Sequence, residues 1–334
     1  MGRLNTALAV DVSAVVPLPG EHVMRGRLIS PATPSESIVW CCLPGGGCSA
    51  GYFDLVVDDD DTTYSMAAYL ADAGYAVLVL DHLGCGASSR LADDFLLTPE
   101  IVADANQAAF SALLDQLRTG TLVPELAPLD SLRPIGLGHS MGAMLTIVQQ
   151  ARHGTYSAVV NLGSGGDGLP EYLRDPAWAT ADVSWVRASL PELARMQSAG
   201  PRPEGGRPVI FHTEDVPTAV LTAFRGQATK LLPSCGLATL IPGGTDAERG
   251  ALSVPLFLGF GEHDLSDDVR ATVGRYRSCR DITLVVLAGS GHCHNQSANR
   301  HQLWQRLLAW ARTVPLGDAG VADVRGAATT EVGR

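Results

Sequence analysis

Apolar residues come in short runs along the chain, separated by glycine- and proline-rich connections, and the runs alternate between two periods. Ala7 to Val16 and Glu21 to Ser30 read as strands joined by the turn "PLPG" at Pro17 to Gly20. "SIVWCCL", Ser37 to Leu43, is apolar throughout, which suits a strand covered on both faces. A glycine-rich loop, "PGGGCSAGYFDL", follows. Thr62 to Gly74 places Met66, Ala67, Leu70 and Ala71 at helical spacing and ends on a glycine, and "YAVLVLD" then reads as a second buried strand. Pro99 to Gly120 predicts a helix with Pro99 in its first turn and Ile101, Val102, Ala105, Ala109, Leu113 and Leu117 on one face. "PIGLGHSMGAMLTI", Pro134 to Ile147, is a strand running into a helix that extends from Met141 to about Arg152. "YSAVVNLG", Tyr156 to Gly163, is the next strand.

The alternation then stops. Ser164 to Gly250 is rich in proline and glycine, holds Trp178 and Trp185, and offers helical pieces at Val183 to Ser198 and Val216 to Leu232. "SVPLFLGFGEHD" and "DITLVVLAGSGH" restore the buried-strand pattern, each followed by a helical stretch, the last from Ala298 to Arg312. Val314 to Arg334 is small, polar and aperiodic, the composition of a mobile tail. No internal repeat is visible. Strands and helices in this order predict an α/β fold: one open, mostly parallel, doubly wound sheet with helices on both faces. The interruption predicts a mainly helical lid inserted after the sixth strand. The expected domains are a core over 1–163, a cap over 164–250, the second part of the core over 251–313 and a flexible tail over 314–334.

Composition narrows the function. The 334 residues are 46% hydrophobic and 18% charged, and the net charge is −11. With no basic run, nucleic acid and anionic membrane are poor partners. No apolar run reaches the length of a membrane span, and Asp11 breaks the N-terminal apolar stretch before a signal-peptide core forms. Seven cysteines without C-x-x-C spacing read as reduced, mostly buried residues of a cytoplasmic protein.

Chemistry gathers where strands end. Gly138-His139-Ser140-Met141-Gly142 follows a strand and opens a helix, so Ser140 is placed on a sharp turn that needs a glycine two residues to either side. The backbone N–H of Met141, at the helix N-terminus, is then positioned to hold an oxyanion. A serine hydroxyl needs a base, and the base needs an orienting acid. Asp264 and His292 stand at the ends of the two later strands. His294 is a second candidate base; Asp267 and Asp268 are alternative acids, although "SDD" also suits a helix cap. His139 reads as a packed elbow residue, Asp81 with Gly84 and Gly86 as a turn, and Cys293 as a buried small residue. Glu262, His263, Asp264, His292 and His294 together could gather a divalent ion, but that reading leaves the elbow unexplained and lacks helical ligand spacing. No metal is therefore expected.

The chain resembles the α/β-hydrolase superfamily over Ala7 to Arg312. The resemblance lies in the elbow "GHSMGA", the loop "LPGGGCSAG", the turn "DHLGCGASS" at Asp81 to Ser89, the G-x-x-D of Gly261 to Asp264, and the glycine-histidine pair ending at His292. It implies a catalytic triad of Ser140, Asp264 and His292 in the family's chain order. It also implies an oxyanion hole completed by a backbone N–H after the third strand. Pro44 stands where that loop commonly has histidine, so the carry-over makes Gly45 the motif glycine and Gly46 the donor, with Gly47 as the alternative. The implied activity is cofactor-free hydrolysis of a small-molecule carboxylic ester or lactone through an acyl-enzyme. Few charges and many Leu, Ala, Val and Pro in the cap predict a mainly apolar pocket for small to medium substrates. Thioester, amide or carbon–carbon bond hydrolysis uses the same triad, and a ligand-binding protein on a hydrolase scaffold is the reading from another class. Substrate-binding residues are not identifiable from sequence, and the sequence is compatible with a homodimer.

Overall fold

The computed structural model describes residues 2–58, 60–200, 206, 208–266 and 268–316. The chain opens with strands β1 (Arg3–Asp11), β2 (Val23–Pro31) and β3 (Ile38–Leu43), then a hairpin of β4 (Asp54–Val57) and β5 (Asp61–Ser65). Next come α1 (Met66–Asp72), β6 (Ala76–Leu80), α2 (Pro99–Thr119), β7 (Arg133–His139), α3 (Met141–His153) and β8 (Ala158–Leu162). The intervening segment carries α4 (Val183–Ala188), α5 (Leu190–Ser198), α6 (Thr218–Gly226), α7 (Pro233–Leu240) and α8 (Asp246–Ala251). The chain then closes with β9 (Leu256–Gly261), β10 (Ile282–Leu287) and α9 (Arg300–Thr313).

Eight strands form one sheet in the order β1-β2-β6-β3-β7-β8-β9-β10, antiparallel at β1–β2 and β2–β6 and parallel from there on. This is the α/β-hydrolase fold, with the helical segment after the sixth strand of the main sheet. The unbroken apolar run of β3 follows from its place in the sheet's middle. Val39, Cys41 and Leu43 face the core under α2 and α3, while Ile38, Trp40 and Cys42 face the core under α1 and α9. From β3 the chain passes to β6 on one side and returns to β7 on the other. The loops leaving β3 and β7 therefore meet at a topological switch point, the place where such sheets leave a crevice.

Several local expectations are corrected. The predicted helix Thr62 to Gly74 begins as strand: Thr62, Thr63, Tyr64 and Ser65 belong to β5, whose β-branched and aromatic residues favour extended backbone, and α1 starts only at Met66. Ser65 Oγ caps it by accepting from Ala68 N–H at 2.9 Å. β1 runs Arg3–Asp11 and not Ala7 to Val16. Val183 to Ser198 is two helices, the second with Pro191 in its first turn. Only Thr218–Gly226 of Val216 to Leu232 is helical; α7 and α8 were not anticipated, and a short 3₁₀ turn, Ala271–Arg275, stands where a helix was expected after β9. Of the tail from Val314, residues 317–334 lie outside the described residues, while Val314 and Leu316 pack against the core under α9. Among the described residues no helix is long and apolar enough to cross a membrane.

Candidate active site

Ser140 sits between the last residue of β7 and the first of α3 at φ 55° and ψ −119°. Besides Asp58 it is the only described non-glycine residue with positive φ. The flanking glycines are required by contact. A Cβ on Gly138 would lie 2.4 Å from Ala143 Cα, and one on Gly142 would lie 2.3 Å from the carbonyl oxygens of both Leu43 and Pro44. The turn is held from below, since Ser140 N–H donates to Leu162 O of β8 at 2.7 Å.

Asp264 follows β9 and is buried together with His292 and His294. His292 Nδ1 lies 2.6 Å from Asp264 Oδ1 and His294 Nε2 lies 2.8 Å from Oδ2. The backbone N–H groups of Leu265 and Gly261 add bonds of 2.7 Å and 3.0 Å. Burial alone would raise this carboxyl, but the two imidazoles hold it well below the usual carboxylate range. A carboxylate only accepts, so His292 carries its proton on Nδ1, which leaves the Nε2 lone pair as the basic site. The imidazole packs on Gly163, the residue after Leu162: a Cβ there would lie 2.9 Å from His292 Cε1. Two neighbouring residues of one backbone thus hold the serine and the histidine.

His139 is the third imidazole of the cluster. It stacks on Tyr52 with centroids 4.0 Å apart, and its Nε2 donates to His292 O at 2.9 Å. Burial, with His292 and His294 nearby, pushes it well below the ordinary histidine range, so it is a neutral brace for the His292 backbone. The expectation of a packed elbow residue agrees with this.

Gly45, Gly46, Gly47 and Cys48 form a turn closed by Cys48 N–H to Gly45 O at 3.1 Å, with Gly47 at φ 76°. These are the features of a type II turn with Gly46 and Gly47 at its centre. Gly45 and Gly46 face the elbow: a Cβ on Gly45 would lie 3.1 Å from Ser140 Cβ, and one on Gly46 would lie 3.7 Å from Met141 Cβ. Gly47 faces elsewhere and accepts from Thr229 N–H at 2.9 Å. Asp81 ties this region to the turn after β6, taking Ala50 N–H at 2.6 Å and Ala87 N–H at 2.8 Å. His82 was not singled out in the sequence; buried, it donates from Nε2 to Pro44 O at 3.0 Å and braces the start of the glycine loop.

The other candidates fall away from the centre. Asp268 accepts from the N–H groups of Arg270 and Ala271, a capping role, and Asp267 lies outside the described residues. Glu262 and His263 are exposed, with Glu262 bonded to Gly289 N–H at 2.7 Å. Among the described residues no three His, Cys, Asp or Glu side chains are grouped to hold a metal ion. Cys293 is buried, and that burial raises its thiol pKa. Trp178 is buried within the inserted segment and Trp185 is exposed.

A small cavity of about 70 Å³ opens beside Ser140. Its wall is more polar than the segment's composition predicted: Ser164, Asp167, Thr239, Thr245, Arg249 and Ser266 share it with glycines and a few apolar residues. The residue missed in the sequence is Arg249, which lies in no motif and reaches the cavity only through folding of α8 against α3.

A serine on a strained strand-to-helix turn, beside a buried aspartate–histidine pair at the strand ends of a doubly wound sheet, defines a class of site shared by many hydrolases. The chain belongs to the Alpha/beta hydrolase family, which it matches over residues 42–306. Its fold is similar to that of the esterase RhEst1 from Rhodococcus sp. ECU1013, with a TM-score of 0.59 and 16% identity over 94% of this chain and 100% of that one. A thermophilic esterase from Thermogutta terrifontis gives 0.58 and 15% over 91% and 98%. The proline iminopeptidase of Mycobacterium smegmatis gives 0.54 and 18% over 91% and 97%. No curated protein matches the chain in sequence.

Proposed function

We propose that this protein hydrolyses carboxylic esters or lactones of small molecules by way of an acyl-enzyme. Ser140 is the nucleophile, His292 the general base and then general acid, and Asp264 the group that fixes the His292 tautomer and stabilises its charged form. The N–H groups of Met141 and Gly46 take the oxyanion, each donor of this kind being worth about 2.7–4 kcal/mol. In acylation the Ser140 Oγ–carbonyl bond forms, the proton passes to His292 and then to the leaving oxygen, and the carbon–oxygen bond breaks. Water repeats the sequence on the acyl-enzyme. The residues between β8 and β9 act as a cap over this centre.

The observation that carries the reading is the pairing of a serine at positive φ with an Asp264–His292 hydrogen bond of 2.6 Å, both anchored on Leu162 and Gly163. Esterases among proteins of similar fold agree with it. The test is peptide mass spectrometry after exposure to a fluorophosphonate. Stoichiometric labelling of Ser140, absent in Ser140→Ala and strongly slowed in His292→Ala, is the expected result. Folded wild-type protein that stays unlabelled would overturn the proposal.

A further inference from the structure

Eight large apolar side chains stand exposed among the described residues, and Ile210, Phe211 and Leu231 are among them at 41%, 47% and 47% exposure. Both segments that carry these three are fastened to the reaction centre through backbone. The carbonyls of Ile210 and Phe211 accept from His292 N–H and Cys293 N–H, each at 2.8 Å, and the Phe211 ring lies 5.8 Å from that of His292. On the other flank, Thr229 N–H donates to Gly47 O at 2.9 Å, and Leu231 Cδ1 comes within 2.6 Å of the place a Cβ on Gly46 would take. Exposed apolar surface that water must cover thus borders the base and the glycine loop.

The cavity beside Ser140 has the opposite character. Arg249 is buried in its wall, and its acceptors are all neutral: Tyr276 Oη at 2.6 Å, Ser164 Oγ at 2.9 Å, Ser164 O at 3.0 Å and Thr245 Oγ1 at 3.3 Å. Those four bonds leave one of its five N–H groups to spare. The cavity's carboxylate, Asp167, is already held by Arg275 and Ser266, at 2.8 Å and 2.6 Å. With Arg249 and Arg275 set against Asp167 and Asp246, the charges around the cavity balance, and the spare Arg249 donor suits a neutral oxygen.

Chemistry says which half of a substrate goes where. The leaving oxygen takes its proton from His292, so its substituent lies outside the cavity, between the two apolar flanks, with Phe211 beside His292 and Leu231 beside Gly46. The acyl chain then points into the cavity that Ser140 lines and His292 does not. Resting on the ester-hydrolase reading above, we infer that the substrate is an ester of a short acid bearing a neutral hydroxyl or keto oxygen, joined to a bulky apolar alcohol. Arg249 selects the acid, and Phe211 and Leu231 select the alcohol.

The experiment is a panel of four esters, the methyl and benzyl esters of β-hydroxybutyrate and of isovalerate, in which a hydroxyl and a methyl group exchange places. In the wild type, kcat/KM is expected to favour hydroxybutyrate over isovalerate, and benzyl over methyl, each by about tenfold. Phe211→Ala and Leu231→Ala, both at exposed positions, should each lower the benzyl-to-methyl ratio several-fold. Arg249→Met should remove the preference for hydroxybutyrate; if that variant does not fold, the wild-type ratio decides the acyl half alone. Hydrolysis of the panel without these rankings, or ratios that both exposed variants leave unmoved, would overturn the assignment. Failure to hydrolyse any of the four with Ser140 also unlabelled by fluorophosphonate would instead overturn the hydrolase reading, and this inference with it.

Discussion

His294 shares the carboxylate of Asp264 with His292, its Nε2 lying 2.8 Å from Oδ2 while His292 Nδ1 holds Oδ1 at 2.6 Å. The two histidines differ in what remains free. His294 is fully buried, and its Nδ1 has no hydrogen-bond partner among the described residues, so nothing about it suits contact with a substrate. It steadies the carboxylate that holds His292. His294→Ala is expected to lower kcat by about tenfold or more, close to the ~1.4 kcal/mol of one lost hydrogen bond, with KM little changed. The acidic limb of the pH–rate profile should shift, and His294→Gln should restore part of the rate. A loss of melting temperature with the limb unmoved would reduce His294 to packing.

The strained backbone at Ser140 separates stability from activity. Positive φ costs a residue with a Cβ roughly 1–3 kcal/mol, and glycine escapes that cost. Ser140→Gly is therefore expected to melt above Ser140→Ala, while both lose about 10⁴–10⁶ in kcat. Retention of a tenth of the wild-type rate in either variant would remove Ser140 from the mechanism.

Gly46 occupies the turn position that proline favours, so Gly46→Pro removes the N–H with little change of backbone. The side chain it would meet, the Leu231 Cδ1 methyl, is the movable end of an exposed residue. The expected result is a folded protein whose kcat falls about 10²–10³-fold. An unchanged rate would transfer the oxyanion to another donor of the loop.

Acid should weaken the fold through His82 and His139. Burial pushes both below the ordinary histidine value of 6.5, so they stay neutral in the folded chain and take up protons on unfolding. Stability is then complete above about pH 6.5 and falls as the pH drops below it, by up to ~1.4 kcal/mol per pH unit for each group. Asp264 acts lower down: its folded pKa is depressed, so its contribution is present above its unfolded value of 3.8 and is lost as the pH falls towards the folded one. Melting temperatures of wild type and His139→Asn between pH 7 and 5 test this, and parallel curves would contradict it.

Sequence patterning reaches what is repeated by local physics. The buried strands β3, β6, β7 and β8 and the helices α2 and α3 are legible because a covered strand must be apolar and a helix needs one apolar face. Ser140, Asp264 and His292 stand out as candidates because each follows a strand and lies within three residues of a glycine. The β4–β5 hairpin was hidden by a helical spacing that begins at Met66, directly after β5 ends at Ser65. Arg249 and Leu231 carry no local signal, since each reaches the centre through a long-range contact of the inserted segment. The polar cavity was missed for the same reason: composition averages over a segment, while a wall is made by the few residues that face inward.

The backbone bonds from Ile210 and Phe211 make the amides of His292 and Cys293 native hydrogen-exchange sensors. Any motion that lifts that stretch of chain breaks both bonds and, in the same event, unfastens the loop that carries His292.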